Sequence, residues 1–354
     1  MNWLVQFAAE AGKTDTLANK TDHKEFLAVG LLGEVGGVLA EFKKQKREGP
    51  AYPFYRERLV DEIGDVLWYF VRLATVGVPN LPLRLPINVP DSEETQPSSL
   101  LALGAAAGRA LEAVQRFSEE GLRSALTDTW LYLRTVAALA HVDLEEASKR
   151  NRAKTVSRWP PDGRTAHAFF DEPCPEEERL PRLFTVRFIE RGTEQKPQVL
   201  LRYNDINIGD RISDNITDSD GYRYHDIFHF AYAVYLGWSP VLRALLRSKR
   251  KSNHLADENQ DGARAVIIEE AISAIVFSRA KQVGYFEKVQ QVDFDLLKSI
   301  QEFTKGFEVA DVPLWQWEEA ILEGFRAFRQ LKEQKGGLVT LHLNARQLIV
   351  EQVR

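Results

Sequence analysis

The stretch at residues 24–46 reads KEFLAVGLLGEVGGVLAEFKKQK, and the stretch at 56–76 reads RERLVDEIGDVLWYFVRLATV. In both, apolar residues recur at the three- and four-residue spacing of an amphipathic α-helix. The connection between them, GPAYPF at 49–54, contains the helix breakers glycine and proline. Two helices joined by a short connection fold back on each other, so the sequence predicts an antiparallel helical hairpin.

The same pattern returns further along the chain, after a proline- and serine-rich stretch at 78–99 that is typical of a long loop. Residues 33–41 align with 104–112, and 65–70 align with 128–133. A helical hairpin cannot bury its apolar face alone, so two such hairpins would pack face to face. We therefore predict a four-helix bundle over residues 1–163, built as a tandem pseudo-dimer; chance similarity between amphipathic helices is the alternative.

The composition changes beyond Pro161. An acidic, proline-containing segment at 164–181 is typical of a linker. Alternating apolar residues then predict a β-hairpin, helical periodicity follows, and a strand-like run closes the chain. The fold class is therefore predicted as mainly α, with a mostly helical second domain at 182–354 that carries a small β-hairpin or sheet. The predicted strands lie at 183–189, 198–208 and 338–350, and the predicted helices at 224–236, 241–246, 262–283, 294–307 and 314–332.

Composition excludes several classes of protein. The 354 residues are 44% hydrophobic and 27% charged, as expected for a soluble globular protein of two domains. No apolar run reaches the roughly 18 residues of a membrane span, and the N-terminus has no signal-peptide pattern. The single cysteine, Cys174, excludes an intrachain disulfide and a cysteine-based zinc site, so we expect a cytoplasmic protein. A net charge of −5 argues against a protein that coats nucleic acid.

Four acidic residues stand out on the first two predicted helices. Glu34 and Glu41 are two turns apart on one helix, and Glu62 and Asp65 share a face of the next. Carboxylates at an apolar helix–helix interface are costly unless they are paired or bind a cation. The hypothesis is therefore a site for a hard divalent cation such as Mg²⁺. The alternative is that these residues lie on a solvated helix edge.

The sequence of these two helices resembles that of a known family. GLLGEVGG at 30–37, followed by two lysines and by DEIGDVLWY at 61–69, is similar to the MazG-like nucleoside triphosphate pyrophosphohydrolases. The resemblance covers about residues 1–163 and implies an all-α fold with an E-x-x-E pair and an E-x-x-D pair that bind Mg²⁺, with Mn²⁺ as an option. It implies Glu34, Glu62 and Asp65 as the catalytic metal ligands. One departure is Gly37, where the pattern has its second Glu; Glu41 then either substitutes or leaves one metal loosely held.

The resemblance also implies an activity and a substrate. The expected reaction converts a nucleoside triphosphate, NTP or dNTP, to the monophosphate and pyrophosphate, with a role in control of the nucleotide pool. The alternative is a nucleotide-sensing protein whose degenerate site regulates a second, histidine-containing metal or phosphohydrolase domain. Such helical hairpins often pair, so a homo-oligomer stays open. The residues expected to bind substrate are Lys43, Lys44, Trp68, Tyr69, Asn151, Lys154 and Arg158, with core packing as the alternative for Trp68 and Tyr69.

A second group of polar residues lies in the second domain. The run YHDIFH at 224–229 places His225 and His229 one turn apart beside Asp226. Glu269 and Glu270 follow on a later, otherwise apolar helix. Histidines and a carboxylate from a neighbouring helix suit a metal whose identity the sequence leaves open, or a phosphate, with Glu270 slightly favoured over Glu269. The alternative is that the histidines only satisfy buried hydrogen bonds.

The second domain has two further features. A basic run at 243–251 is either solvated or binds phosphates or a nucleic-acid backbone. Otherwise the second domain resembles an uncharacterised extension attached to MazG-like domains.

Overall fold

The structure, a computed structural model, describes residues 3–79, 81 and 96–352. The chain divides into two compact units, Met1–Gly163 and Arg164–Arg354, each with its own hydrophobic core. Most of the loop predicted at 78–99 lies outside the described residues. The predicted fold class is confirmed: helices predominate, and one small antiparallel sheet accompanies them. In the described part of the chain, no helix combines the length and apolar composition that a membrane crossing requires.

The first unit is helical. α2 and α3 form one hairpin, α4 and α5 form a second, and the hairpins pack together through α2 on α4 and α3 on α5. α1 and α6 both pack on α3. The four central helices thus bury the apolar stripes that their periodicity predicts. The helices are α1 (Trp3–Lys13), α2 (His23–Glu48), α3 (Tyr55–Gly77), α4 (Gln96–Gln115), α5 (Glu119–Leu139) and α6 (Leu144–Arg158).

Two glycines of α2 define how α2 and α3 face each other. A Cβ atom added at Gly30 would lie 2.1 Å from Cε1 of Tyr69, and one added at Gly37 would lie 2.0 Å from Oε2 of Glu62. The two contacts are separated by the same number of residues on both helices, in opposite directions. They therefore fix an antiparallel register in which α3 side chains lie directly on α2 backbone.

The second unit combines the sheet with the remaining helices. The strands are β1 (Leu183–Thr193), β2 (Lys196–Tyr203), β3 (Ile206–Ile212), β4 (Gly336–His342) and β5 (Gln347–Glu351), in the order β3-β2-β1-β4-β5. Every neighbouring pair is antiparallel. The helices are α7 (Asp226–Ala231), α8 (Pro240–Leu246), α9 (Ala263–Gln282), α10 (Phe294–Thr304) and α11 (Leu314–Gln334).

The chain departs from regular α-helix directly after α7. Residues Tyr232–Leu236 continue it as a π-helix, and they are buried in the core of the unit. Such π segments are uncommon and often accompany functional sites. This one follows His229 by three residues.

The structure corrects two predicted strands. The run at 198–208 is two strands, because Asn204 and Asp205 both adopt positive φ, 47° and 61°, and make the tight turn of a β-hairpin. The run at 338–350 is likewise divided into β4 and β5. In both cases the two strands pair with each other, so one predicted strand becomes a hairpin.

The acidic segment at 164–181, predicted as a linker, is part of the second unit. Its Asp171 is buried and accepts hydrogen bonds from the backbone N–H of Leu180 and from the Arg182 guanidinium, at 2.9 and 2.6 Å. A buried carboxylate held by an arginine anchors the segment to the unit. The segment therefore packs as part of the second unit, although Glu172, Glu176 and Glu177 are exposed.

Candidate functional sites

The register of α2 and α3 gathers the predicted carboxylates of the first unit. With Gly30 facing Tyr69 and Gly37 facing Glu62, Glu34 lies across from Asp65. Burial, followed by the negative charges of Glu34 and Asp65, raises the pKa of Tyr69 to about 12. Both carboxylates therefore act on the Tyr69 hydroxyl, in agreement with the register.

Helix α6 completes this region. It approaches α3 closely, since a Cβ atom at Gly64 would lie 2.7 Å from the carbonyl oxygen of Ala147. Nδ2 of Asn151 donates to Oδ1 of Asp65 at 2.6 Å, and the Lys154 ammonium contacts the same oxygen. Asn151 and Lys154, which the resemblance assigns to the nucleotide, thus contact Asp65, which it assigns to the metal.

Glu41 lies one turn beyond this group and is buried. Its Oε1 accepts from Nζ of Lys44 at 2.5 Å, and its Oε2 accepts from the Tyr52 hydroxyl. Burial and this hydrogen bond raise the pKa of Tyr52. Both oxygens of Glu41 therefore have protein donors, and it is Glu62 that reaches the backbone at Gly37. The role of Glu41 as a metal ligand remains a prediction.

The other predicted substrate residues differ in their surroundings. Lys43 is exposed on α2. Trp68 is partly buried, donates from Nε1 to Oγ1 of Thr14 at 3.3 Å, and packs edge-on against Tyr69 with ring centroids 4.9 Å apart. Arg158 is buried, with its guanidinium 5.0 Å from the ring centroid of Trp159. Trp68 therefore takes part in packing, which was its alternative role.

The second hairpin does not repeat the carboxylate arrangement. Ala105 and Ala125 occupy the positions that align with Glu34 and Glu62. Asp128, which aligns with Asp65, pairs with Nη2 of Arg109 at 2.8 Å and is well exposed. A salt bridge thus stands where the first hairpin has facing carboxylates.

In the second unit, His229 is held by a buried carboxylate. Both His229 and Glu269 are fully buried, and Nδ1 of His229 lies 2.8 Å from Oε1 of Glu269. Glu269 also accepts from the Ser239 hydroxyl at 2.7 Å and from the backbone N–H of Val241 at 2.8 Å. These two donors belong to the start of α8, where a carboxylate is favourable. Glu269 is therefore satisfied by protein donors and orients the imidazole of His229.

His225 is oriented in the same way by a different acceptor. Its Nδ1 lies 3.0 Å from the carbonyl oxygen of Tyr222, and its ring stacks on the Tyr222 ring. Nε2 of His225 and Nε2 of His229 lie 3.7 and 3.5 Å from the two oxygens of Glu270. Within the described residues, one group of His, Cys, Asp or Glu side chains offers three ligand atoms within 4.8 Å of one another, and it is His225, His229 and Glu270.

The two glutamates therefore take different roles. Consecutive residues of a helix point about 100° apart, and His229 lies between the two side chains. Its Nδ1 faces Glu269 and its Nε2 faces Glu270. Glu270, which the sequence slightly favoured, lies beside the Nε2 atoms of both histidines, whereas Glu269 contacts Nδ1 of His229.

Charge in this cluster is balanced between imidazoles and carboxylates. Burial lowers the pKa of His225. Burial also acts against a charged His229, but Glu269 and Glu270 outweigh it and raise the pKa to about 10. Burial opposes ionisation of Glu270, yet both histidines lower its pKa. Asp226 is buried, its Oδ1 lies 3.7 Å from Nε2 of His225, and burial raises its pKa.

The basic run at 243–251 is only partly on the surface. Arg243 is buried and pairs with Asp171 at 2.7 Å. Arg250 is buried between Asp261 and Glu308, each at 2.7 Å. Arg243 and Arg250, two of the basic residues considered for phosphate or nucleic-acid contact, therefore form ion pairs inside the second unit.

A family model for the MazG C-terminal domain matches residues 165–354. The chain belongs to the MazG C-terminal domain family. No curated protein and no solved structure was found to match the chain. The MazG C-terminal domain spans the second unit almost from its first residue and contains the whole histidine cluster. The prediction that the second part of the chain is a MazG-associated extension is therefore confirmed.

Sequence reasoning missed the residues that orient the cluster of the MazG C-terminal domain. Ser239 and Tyr222 lie outside any metal-binding spacing pattern. Ser239 does precede Pro240 at the start of a helix, which is a recognisable N-cap signal, but its contact with Glu269 depends on how α8 packs on α9. Tyr222 acts through its backbone carbonyl and through the stacking of its ring on His225, and neither contact belongs to a metal-binding spacing pattern.

Proposed function

We propose that the first unit hydrolyses nucleoside triphosphates, NTP or dNTP, to the monophosphate and pyrophosphate with the help of Mg²⁺. This proposal rests mainly on the packing of α2 and α6 against α3. Their register gathers Glu34, Glu62 and Asp65 with Asn151 and Lys154. Membership of a MazG-related family supports a nucleotide-related hydrolase.

The donor set is compatible with Mg²⁺. Glu34, Glu62 and Asp65 offer carboxylate oxygens from facing positions of two helices, and such oxygens are the ligands that hard divalent cations take. When bound, Mg²⁺ would neutralise the triphosphate and lower the pKa of a bound water. Mn²⁺ accepts the same ligands.

The residues of α6 would serve the substrate. Lys154 contacts Oδ1 of Asp65, and a triphosphate offers this ammonium a larger negative charge. Transfer of Lys154 to a phosphate would leave Asp65 available to a cation. Asn151 is buried and donates to Asp65, so it would keep that carboxylate oriented during the exchange. The Tyr69 hydroxyl, with a pKa of about 12, stays protonated at neutral pH and can donate a hydrogen bond.

A second candidate function is nucleotide sensing. Gly37 stands at one position where the resemblance implies a carboxylate, and both oxygens of Glu41 already have protein donors. A first unit with too few ligands for turnover would still bind a nucleotide and could regulate the second unit. Binding without pyrophosphate release is the signature of this alternative.

The first prediction compares Asp65→Asn with Asp128→Asn. Removing a metal ligand costs several kcal/mol of transition-state stabilisation, so we expect pyrophosphate release by Asp65→Asn to fall by about 100-fold or more. Asp128 is the aligned residue of the second hairpin, is well exposed and pairs with Arg109, so its variant should retain activity. Release is measured on a panel of NTPs and dNTPs with Mg²⁺ and with Mn²⁺.

Two outcomes would count against hydrolysis at this site. Full activity in Asp65→Asn would show that the site is wrongly placed. Nucleotide binding by the wild type without release from any member of the panel would favour sensing.

A further inference from the structure

We propose that the second unit binds one first-row transition-metal ion, through Nε2 of His225, Nε2 of His229 and the carboxylate of Glu270. The three groups come from the start of α7 and from α9, and their ligand atoms lie within 4.8 Å of one another. The site lies outside the first unit and shares no residue with the triphosphate site. Metal binding there can therefore be tested independently of the proposed hydrolysis.

The imidazoles of His225 and His229 are oriented as metal ligands are. Metal-binding histidines generally direct one ring nitrogen to a carboxylate or a backbone carbonyl and present the other to the metal. Here Nδ1 of His229 faces Glu269 at 2.8 Å, and Nδ1 of His225 faces the Tyr222 carbonyl at 3.0 Å. Both Nε2 atoms are therefore presented to the same space, beside Glu270.

One ring nitrogen of the cluster lacks a hydrogen-bond partner among the described residues. His229 is fully buried, and within the described residues its Nε2 has no hydrogen-bond partner. The closest carboxylate oxygen, Oε1 of Glu270, lies at 3.5 Å, which is long for a hydrogen bond. Buried polar atoms are almost always satisfied, so an exception needs an explanation. Coordination of a cation between His229 and Glu270, with release of the proton from Nε2, supplies one.

The side chains around the two imidazoles favour a cation over an anion. Glu269, Glu270 and Asp226 make the surroundings of the two imidazoles rich in carboxylates, which disfavours phosphate and favours a cation. Two imidazole nitrogens and one carboxylate suit Zn²⁺, Fe²⁺, Co²⁺ or Mn²⁺ better than Mg²⁺ or Ca²⁺, which prefer oxygen ligands.

The cluster is accessible to solvent on one side. The side chain of Glu270 is 42% exposed and that of His225 is 13% exposed, so the cluster reaches the surface on one side. A metal held by three protein ligands retains a position for water or another molecule, as in catalytic rather than structural sites. The unit therefore offers a metal position that solvent can reach.

The test uses the full chain, purified without a histidine tag and treated with a chelator. Zn²⁺ and Co²⁺ are added separately, binding is followed by calorimetry, and bound metal is counted by elemental analysis after dialysis. The visible spectrum of bound Co²⁺ reports the coordination environment independently of any activity. We expect one ion per chain.

The variants are His225→Ala and Glu270→Gln, with His254→Ala as the matched control. The imidazole of His254 is 85% exposed, so its loss should leave binding unchanged. Changes around a metal site typically cost about 10–100-fold in affinity, and loss of a ligand should cost at least as much. Far-UV circular dichroism checks the fold; Glu270→Gln, at a half-exposed position, decides the test if His225→Ala does not fold.

Three results would overturn the proposal. The wild type could bind no more metal than the chelated control. Both cluster variants could bind as tightly as the wild type, or His254→Ala could lose as much affinity as they do. Any of these would leave the two imidazoles as structural residues of the core.

Discussion

At the scale of single residues, Gly37 is the most informative position of the first unit. A side chain here would meet Oε2 of Glu62 at 2.0 Å from its Cβ, whereas a side chain at Gly36 would meet nothing within 4 Å. The departure from the E-x-x-E pattern is therefore linked to the position of Glu62. With no side chain at 37, the Glu62 carboxylate lies directly against α2.

The second prediction follows from this contact. Replacing either glycine by alanine in a helix interior gains about 1 kcal/mol of helix propensity. Gly36→Ala should keep this gain and the wild-type rate of pyrophosphate release. Gly37→Ala must displace the Glu62 carboxylate, so we expect a smaller gain in the free energy of unfolding and a rate reduced by about tenfold or more. Denaturant unfolding measures the free energy of unfolding, and the pyrophosphate assay measures the rate. Equal rates for the two variants would show that Glu62 is not part of the site.

At the scale of elements, helix α8 is tied to the second unit by charge. Arg243 lies on α8, is buried, and donates to Oδ2 of Asp171 at 2.7 Å and to the carbonyl oxygens of Glu178 and Ser248, both at 2.9 Å. Arg247 follows one turn later, at the end of the helix, and is exposed. The same basic run therefore holds one structural arginine and one solvated arginine.

The third prediction contrasts these two arginines. Arg243→Ala leaves Asp171 with one arginine fewer in a buried position, and breaking a buried pair typically costs about 3–5 kcal/mol of unfolding free energy. Arg247→Ala should change it by no more than about 0.5 kcal/mol. Hydrogen-exchange mass spectrometry measures protection in residues 164–354 separately from the first unit. Equal protection in the two variants would contradict the structural role of Arg243.

At the scale of the whole molecule, each unit has its own core, and the second is also held by buried carboxylates. Burial opposes the ionisation of Asp171, but Arg182, the Leu180 N–H and Arg243 together lower its pKa below the ordinary value of 3.8. The pKa of Asp214 is lowered in the same way, because hydrogen bonds and charge from Ser219 and Arg223 outweigh the effect of burial. The second unit therefore depends on carboxylates that must stay ionised.

The fourth prediction is acid sensitivity of the second unit. A carboxylate whose pKa is lower in the folded than in the unfolded state stabilises the fold above the unfolded pKa. For Asp171 this contribution is complete above about pH 4 to 5 and is lost as the pH falls through the lowered folded pKa. Asp171→Asn should be less stable than the wild type at neutral pH and should lose less stability on acidification. Unfolding midpoints between neutral and acidic pH check this; parallel curves for the two proteins would contradict it.

The sequence was enough to predict most helices of both units and the residues able to carry chemistry, because apolar periodicity and i, i+3 or i, i+4 spacing are local properties of the chain. It thereby predicted the facing carboxylates of the first unit and the pair His225 and His229. The partners that these residues meet are set by how the helices pack. Asn151 reaches Asp65 across 86 residues of chain, and Glu269 rather than Glu270 orients His229. Such contacts depend on the register and phase of packed helices, which no local pattern encodes.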